Sequence, residues 1–370
     1  MINKRLFTVL GILVLVLAFS QCRKDRVVDS DLPSTPIGTP YTLEIPTGFP
    51  APYIPAGNPL TVEAIKLGRH LFFEKRLSAD NSMSCSSCHL QLAAFTDGKI
   101  LSEGIRGLET RRHAMTIFNL AWQEHFFWDG RAMSLEEQAL MPIQDEFELD
   151  NELDTVVARL SKDPLYQKLF TDAFGDQTVT PVRIGKAIAQ FERIIVSANS
   201  EFDSVIRLKT KLEFKDLSAR RGYDMFSSET GDCFHCHGDL ETAYQLSAFG
   251  KDLQFSNNGV LSSVQQLNDR GREEVTGDTN HRSQFKIPSV RNAEFSLPFM
   301  HNGSIPDLDS LIKFYEKGLH ITPKTDPNIA KINGLGRKNW SIAQKADLKA
   351  FMKSLTDYSF LTDTNYSSPF

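Results

Sequence analysis

The chain has 370 residues, 41% hydrophobic and 24% charged, which excludes wholesale disorder and suggests two domains. A formal net charge of −5 argues against nucleic acid as a partner. Five cysteines are too few for a disulfide scaffold, and four of them fall into two like pairs, Cys85-Ser86-Ser87-Cys88-His89 and Cys233-Phe234-His235-Cys236-His237.

In chain order, Lys4 and Arg5 ahead of the apolar run Leu6 to Phe19 read as an export signal. Cys22 follows in Ser20-Gln21-Cys22, which resembles a bacterial lipoprotein cleavage site, with Gln21 in place of the usual small residue. Residues 1–22 are therefore expected to be a leader with a lipidation cysteine, and the protein periplasmic, touching the membrane only through its lipid anchor. Plain secretion is the alternative. Residues 23–59 carry Pro33, Pro36, Pro40, Pro46, Pro50, Pro52, Pro55 and Pro59, and are expected to form an extended tether.

From residue 60 the pattern is helical, and the fold class is expected to be all-α with long connecting loops. Val62, Ile65, Leu67 and Leu71 keep helical spacing. Ser134-Leu135-Glu136-Glu137 has the form of a capping-box start, and Thr180-Pro181 opens a helix through Ile194. Leu308, Leu311, Ile312 and Tyr315 run up to Gly318, and Leu348, Phe351, Met352 and Leu355 repeat that spacing. The chain also repeats itself. A helix ending in aromatic residues (Leu71-Phe72-Phe73, then Met225-Phe226) precedes each cysteine pair, and Trp128-Asp129-Gly130 mirrors His301-Asn302-Gly303 downstream. The cysteine-to-glycine separation is 45 residues in the first half and 70 in the second, so an insertion is expected in the polar loop 250–285. Two cytochrome c-like domains follow, residues 60–200 and 201–358.

Two CxxCH motifs have one strong chemical reading. Cysteines at i and i+3 tether a haem through thioethers, and the adjacent histidine brings a ring nitrogen to the iron. Zinc needs four converging ligands, and the separation between Cys88 and Cys233 far exceeds a zinc-ribbon spacing. A thioredoxin-like redox pair would need a βαβ setting that the pattern lacks. Two covalent haems c are thus expected, with His89 and His237 as proximal iron ligands.

Over about residues 60–355 the chain resembles the bacterial di-haem cytochrome c peroxidase family, which includes the MauG-type enzymes. The resemblance rests on Leu67-Gly68-Arg69-His70-Leu71-Phe72-Phe73 and the first CxxCH, then on Phe127-Trp128-Asp129-Gly130-Arg131-Ala132. It continues in Phe285-Lys286-Ile287-Pro288-Ser289-Val290-Arg291-Asn292 and Pro298-Phe299-Met300-His301-Asn302-Gly303. It implies a peroxide site at the first haem and electron entry at the second, with Trp128 between them. It further implies Glu148 as distal acid, Gln138 and Pro142 as pocket residues, and His301 in the second haem pocket. Taken alone, these residues also suit blander roles: a core tryptophan, a solvated acid in Asp145-Glu146-Phe147-Glu148, an exposed amide and a helix stop.

Two departures within the family pattern bear on function. Sixteen residues after His89, where peroxidases that need reductive activation carry a blocking histidine, stands Ile105. Fourteen residues after His301 stands Tyr315, as in MauG-type enzymes, where typical cytochrome c peroxidases have methionine. Met300 and Met352 are alternative ligands, and Tyr315 also fits the apolar face of its helix. The resemblance implies a Ca²⁺ held by the carbonyls of Ser296 and Pro298 and an asparagine; His113, a poor hard-cation ligand, occupies the asparagine position, which leaves Ca²⁺ open. The expected function is reduction of hydrogen peroxide to water with electrons from a small cytochrome c or cupredoxin. The alternatives are a MauG-like enzyme oxidising protein side chains through a ferryl state, and a non-enzymatic di-haem electron carrier.

Overall fold

The computed structural model describes residues 37–238, 255–260, 268–334 and 338–370. The leader, Cys22, residues 23–36 of the expected tether and much of the loop 250–285 lie outside them. Among the described residues no helix is long and apolar enough to cross a membrane.

Helix α1 (Val62–Phe72) forms where Ala64, Ile65, Leu67, Leu71 and Phe72 share one buried face, and the Thr61 hydroxyl caps it by accepting from the Ala64 amide. It crosses α2 (Pro181–Ile194), which begins at the expected Thr180 cap with Pro181 in its first turn. The crossing is backbone to backbone: a Cβ on Gly68 would fall 1.9 Å from the Ala187 carbonyl oxygen. The second half contains α3 (Leu217–Phe226), α4 (Leu308–Lys313) and α5 (Ile342–Ser354). There α3 packs on α5 in the same way, and a Cβ on Gly222 would fall 2.0 Å from the Asp347 carbonyl oxygen.

The repeat extends outward from these crossings. Four residues beyond each glycine stands a phenylalanine, Phe72 packed 5.4 Å from Phe191 and Phe226 packed 5.2 Å from Phe351, ring centre to ring centre. Their other edges reach the motif histidines, at 6.5 Å for His89 and 6.3 Å for His237. Each helix pair thus backs a motif histidine by the same route.

The protein is mostly helical, with one two-residue antiparallel pair of strands, β1 (Phe255–Ser256) and β2 (Phe285–Lys286), among the described residues. The helix expected from Ser134 is a single turn, Leu135–Gln138, followed by another, Met141–Gln144. Ser134 does cap it, accepting from the Glu137 amide, but the Glu137 carboxylate takes the Met133 amide, so the box stays open. Pro142, lacking an N–H, cannot continue the first turn.

Two boundaries need correcting. Residues 37–59, expected within the tether, lie as a strap on the body. Tyr41 donates to the Leu60 carbonyl, Phe49 packs edge-on against Trp122, and the Trp122 indole donates to the Pro50 carbonyl at 2.8 Å. Proline prevents regular structure there without preventing burial of apolar side chains. The chain past 358 returns to the first half. Phe360, Leu361 and Tyr366 enter a core with Phe95, Phe118 and Phe191, and Arg69 donates to the carbonyls of Thr364 and Ser367. The described residues belong to one compact unit.

Gly68→Ala and Gly222→Ala should each destabilise the protein by about 1–3 kcal/mol through overpacking at the crossing. Thermal unfolding of the two variants checks this; a wild-type midpoint in either would show that the helices part freely.

Candidate active site

A cavity of about 590 Å³ runs between the two motifs, with Cys88, His89, Cys233, Cys236 and His237 on its walls. The first motif opens with a 3₁₀ turn, Cys85–Ser87, and His89 Nδ1 is tied to the Phe95 carbonyl at 2.8 Å. That carbonyl is presented by a left-handed bend at Ala94 and Phe95 (φ 53° and 61°). With Nδ1 engaged as a donor, the Nε2 lone pair is left for a metal. The second motif forms a short helix, Phe234–His237, with the Pro288 carbonyl beside the His237 ring. Burial pushes His237 down to about 4 and lowers His89, so both imidazoles are held neutral, the form that binds iron. None of the four motif thiols is in a disulfide, and burial raises Cys88 to about 11 and Cys233 to about 12. Neutral imidazoles, thiols outside any disulfide and a largely apolar cavity beside each CxxCH fit two haems c.

Between the motifs two matching turns meet. Phe126 pairs with Ala132 and Phe299 with Ile305 in isolated bridges; Phe127 and Met300 have φ of 66° and 76°, Gly130 and Gly303 of 69° and 61°. Trp128 and His301 occupy equivalent places, their rings 6.4 Å apart and nearly perpendicular. His301 stacks flat on Phe285 at 3.6 Å, and burial holds it neutral. His113 ties the turns together: its carbonyl accepts from the Trp128 indole, and its amide donates to the His301 carbonyl, each at 2.8 Å. Its Nδ1 bonds to the Lys99 carbonyl, and its buried Nε2 has no hydrogen-bond partner. Ser296 and Pro298 line the same cavity, but an imidazole nitrogen with two carbonyls does not fit Ca²⁺, which takes a shell of oxygens.

On the first-motif side, Gln138, Pro142 and Glu148 share the cavity wall with Asp145 and Arg131. Burial raises the Glu148 carboxyl to about 7; Asp145 pushes the same way, and Arg131 opposes it. The loop that carries Ile105 holds this acid in place. The Ile105 amide donates to the Glu148 carbonyl at 3.0 Å, and Gly104 lies so close that a Cβ would fall 2.2 Å from the Phe147 carbonyl oxygen. Position 105 thus contributes a backbone bond and no metal-binding side chain.

On the second-motif side, α4 ends in a π-turn, Phe314–Gly318, that carries Tyr315 into the cavity wall. The phenol is raised by burial and lies close to Cys236, Cys233 and Asn258. Asn258 donates to the Met300 sulfur at 3.2 Å, so it stands between both candidate ligands. Met352 lines the cavity as well.

Several groups reach the site from positions with no sequence signal of that role. Arg112 is buried between Asp129 and Asp269, joining a first-half turn to a second-half loop. Asn258 and Lys286 also reach the site unannounced. Lys286 stood within a motif, but neither residue carried a local signal of its role.

Comparison with known proteins fits this arrangement. The di-haem cytochrome c peroxidase family matches residues 62–211. The methylamine utilization protein MauG of Methylophilus methylotrophus is 32% identical over 84% of this chain and 86% of its own. The chain belongs to the di-haem cytochrome c peroxidase family. The cytochrome c551 peroxidase of Nitrosomonas europaea is 32% identical over 70% of this chain and 75% of its own. A MauG-like protein associated with microbial copper homeostasis superposes with a TM-score of 0.76, at 32% identity, covering 89% of this chain and 99% of that one. As a di-haem family member the chain carries two haems c, one for each CxxCH.

The purified protein should retain haem-linked peroxidase stain on a denaturing gel. Cys85→Ala with Cys88→Ala should lower the haem-to-protein ratio from two to one and remove peroxide turnover. Zinc in place of haem would overturn the assignment.

Proposed function

We propose that this protein reduces hydrogen peroxide to water at the first motif, using electrons that a small cytochrome c or cupredoxin delivers to the second. The observation that carries this reading is Glu148, a buried acid with a near-neutral pKa on the first motif's side of the cavity. Haem, when bound, supplies irons that exchange electrons and, where one face is open, bind a small oxidant. The remaining work falls to this chain. Glu148 takes the proton from the near oxygen of peroxide and delivers it to the far oxygen, which leaves as water; two electrons and two further protons complete the second water. Gln138 orients the substrate through its amide, and Pro142 keeps that wall free of a competing N–H donor. Ile105 itself puts no blocking imidazole into the pocket. Trp128 bridges the two haem sites with an oxidisable ring.

The leader and Cys22 support export with a lipid anchor, which places the protein in the periplasm in this proposal. Calcium has no part in it.

Tyr315 favours a second reading, the MauG-like oxidation of protein side chains. A phenolate is a hard anionic donor that stabilises oxidised iron, whereas a methionine sulfur favours the reduced metal. With Tyr315 as ligand, the second site would accept electrons from cytochromes reluctantly, and an oxidised state shared through Trp128 would persist.

Two experiments test these readings. Glu148→Gln should lower peroxide turnover roughly 10²–10⁴-fold at unchanged haem content. Because the ionised carboxylate must take the first proton, wild-type turnover should rise with pH through about 7, a limb the variant lacks. Wild-type rates in the variant would remove Glu148 from the mechanism. For the second site, the oxidised protein should lack the near-infrared band of methionine-bound iron, and Tyr315→Met should introduce it and raise the potential. The band in wild type would assign Met300 or Met352 as ligand and leave the peroxidase reading alone.

A further inference from the structure

We propose that Lys286 is the positioning residue that fixes the Trp128 turn between the two haem sites. The inference rests on the reading of Trp128 as the conduit between them.

Lys286 sits in β2 and is 8% exposed. Its amide donates to the Trp128 carbonyl at 2.7 Å. Its ammonium donates to the His125 carbonyl at 2.9 Å and to the Gln123 side-chain oxygen. One second-half residue therefore grips three points of one first-half loop, at positions 123, 125 and 128. Its neighbour Phe285 completes the grip from the other side, stacking on His301, whose ring edges Trp128.

The choice of residue supports holding over charge pairing. Lys286 forms no ion pair among the described residues, and its ammonium lies 5.7 Å from the Phe126 ring centre. Arg272 and Glu124 stand by His125 in this loop, and Asp129, next after Trp128, is paired with Arg112. Burial lowers the Lys286 amine to about 7. A buried ammonium with no carboxylate opposite costs stability, so a lysine here is best explained by the oxygens it satisfies. Its long stem reaches from β2 across to the loop.

The test is the rate at which electrons placed on the second haem reach the first, followed by stopped-flow absorbance in the intact di-haem protein. Lys286→Met keeps the stem and removes the donors; it should slow transfer roughly tenfold, since small misplacements of a reacting group carry penalties of that order or more. Lys286→Arg should restore part of the rate. In a Trp128→Phe background, Lys286→Met should have no further effect, because a residue that acts through Trp128 has nothing left to position. A wild-type rate in Lys286→Met overturns the proposal, as does a slowing that simply multiplies that of Trp128→Phe. Trp128→Phe transferring at the wild-type rate removes the conduit reading itself, a separate failure. If Lys286→Met does not take up haem, Gln123→Leu removes one acceptor alone. It should show the same Trp128-dependent slowing, and a wild-type rate there overturns the proposal.

Discussion

The placement of both motif histidines depends on two helix crossings with no room for a side chain. At Gly68 and Gly222 the backbone of one helix lies against a carbonyl of its partner, closer than any Cβ permits. That approach brings Phe191 and Phe351 against Phe72 and Phe226, and these in turn against His89 and His237. Dispersion between closely packed rings is weak per contact and large in sum, so a shift of either crossing is transmitted to the histidine it backs. The chain builds this device twice, and the distance from glycine to phenylalanine is identical in both copies.

What joins the halves is of a different character. Buried charges mark where a loop of one half meets a loop of the other: Arg112 lies between Asp129 and Asp269. Such pairs add little stability over an apolar contact, but breaking one strands a buried charge. They therefore penalise every docking of the two halves except the observed one. The strap before residue 60 and the tail after 358 act by ordinary apolar burial, closing over Trp122 and over the Phe95 core. One kind of contact selects the arrangement, and the other fastens it.

This division explains what could be read from the sequence. Helices α1, α2 and α5 and both CxxCH motifs declare themselves through spacings of a few residues, which local chemistry fixes. The strap was misread because prolines report the absence of helix and say nothing about Phe49 finding Trp122. Glu148 stands in an acidic stretch that reads as surface; the Gly104–Ile105 loop, 43 residues upstream, is what covers it. Lys286 is harder still, since the oxygens it serves lie some 160 positions away and nothing beside it hints at them. Without the family resemblance, local reading would have found the haems and missed the chemistry between them.

The same repeat explains how one architecture supports two different tasks. The halves share a helix crossing, a haem motif and a bridged turn, yet their cavity walls end in different groups. On the first side the wall carries a carboxyl near neutrality, able to accept and return a proton under ordinary conditions. On the second it carries a phenol that burial pushes well above its usual range, with Asn258 and a thioether beside it. A phenol so raised keeps its proton unless a cation displaces it, so it cannot cycle protons with substrate. In the proposed reading, bond cleavage therefore belongs to the first half, and the second is left to exchange electrons. The equivalent turns between them carry Trp128 and His301: the first ring can give up an electron, while the second, held neutral and stacked on Phe285, serves as a wall. In that reading, asymmetry at the cavity walls and at the two turns of a symmetric frame gives the electron a direction.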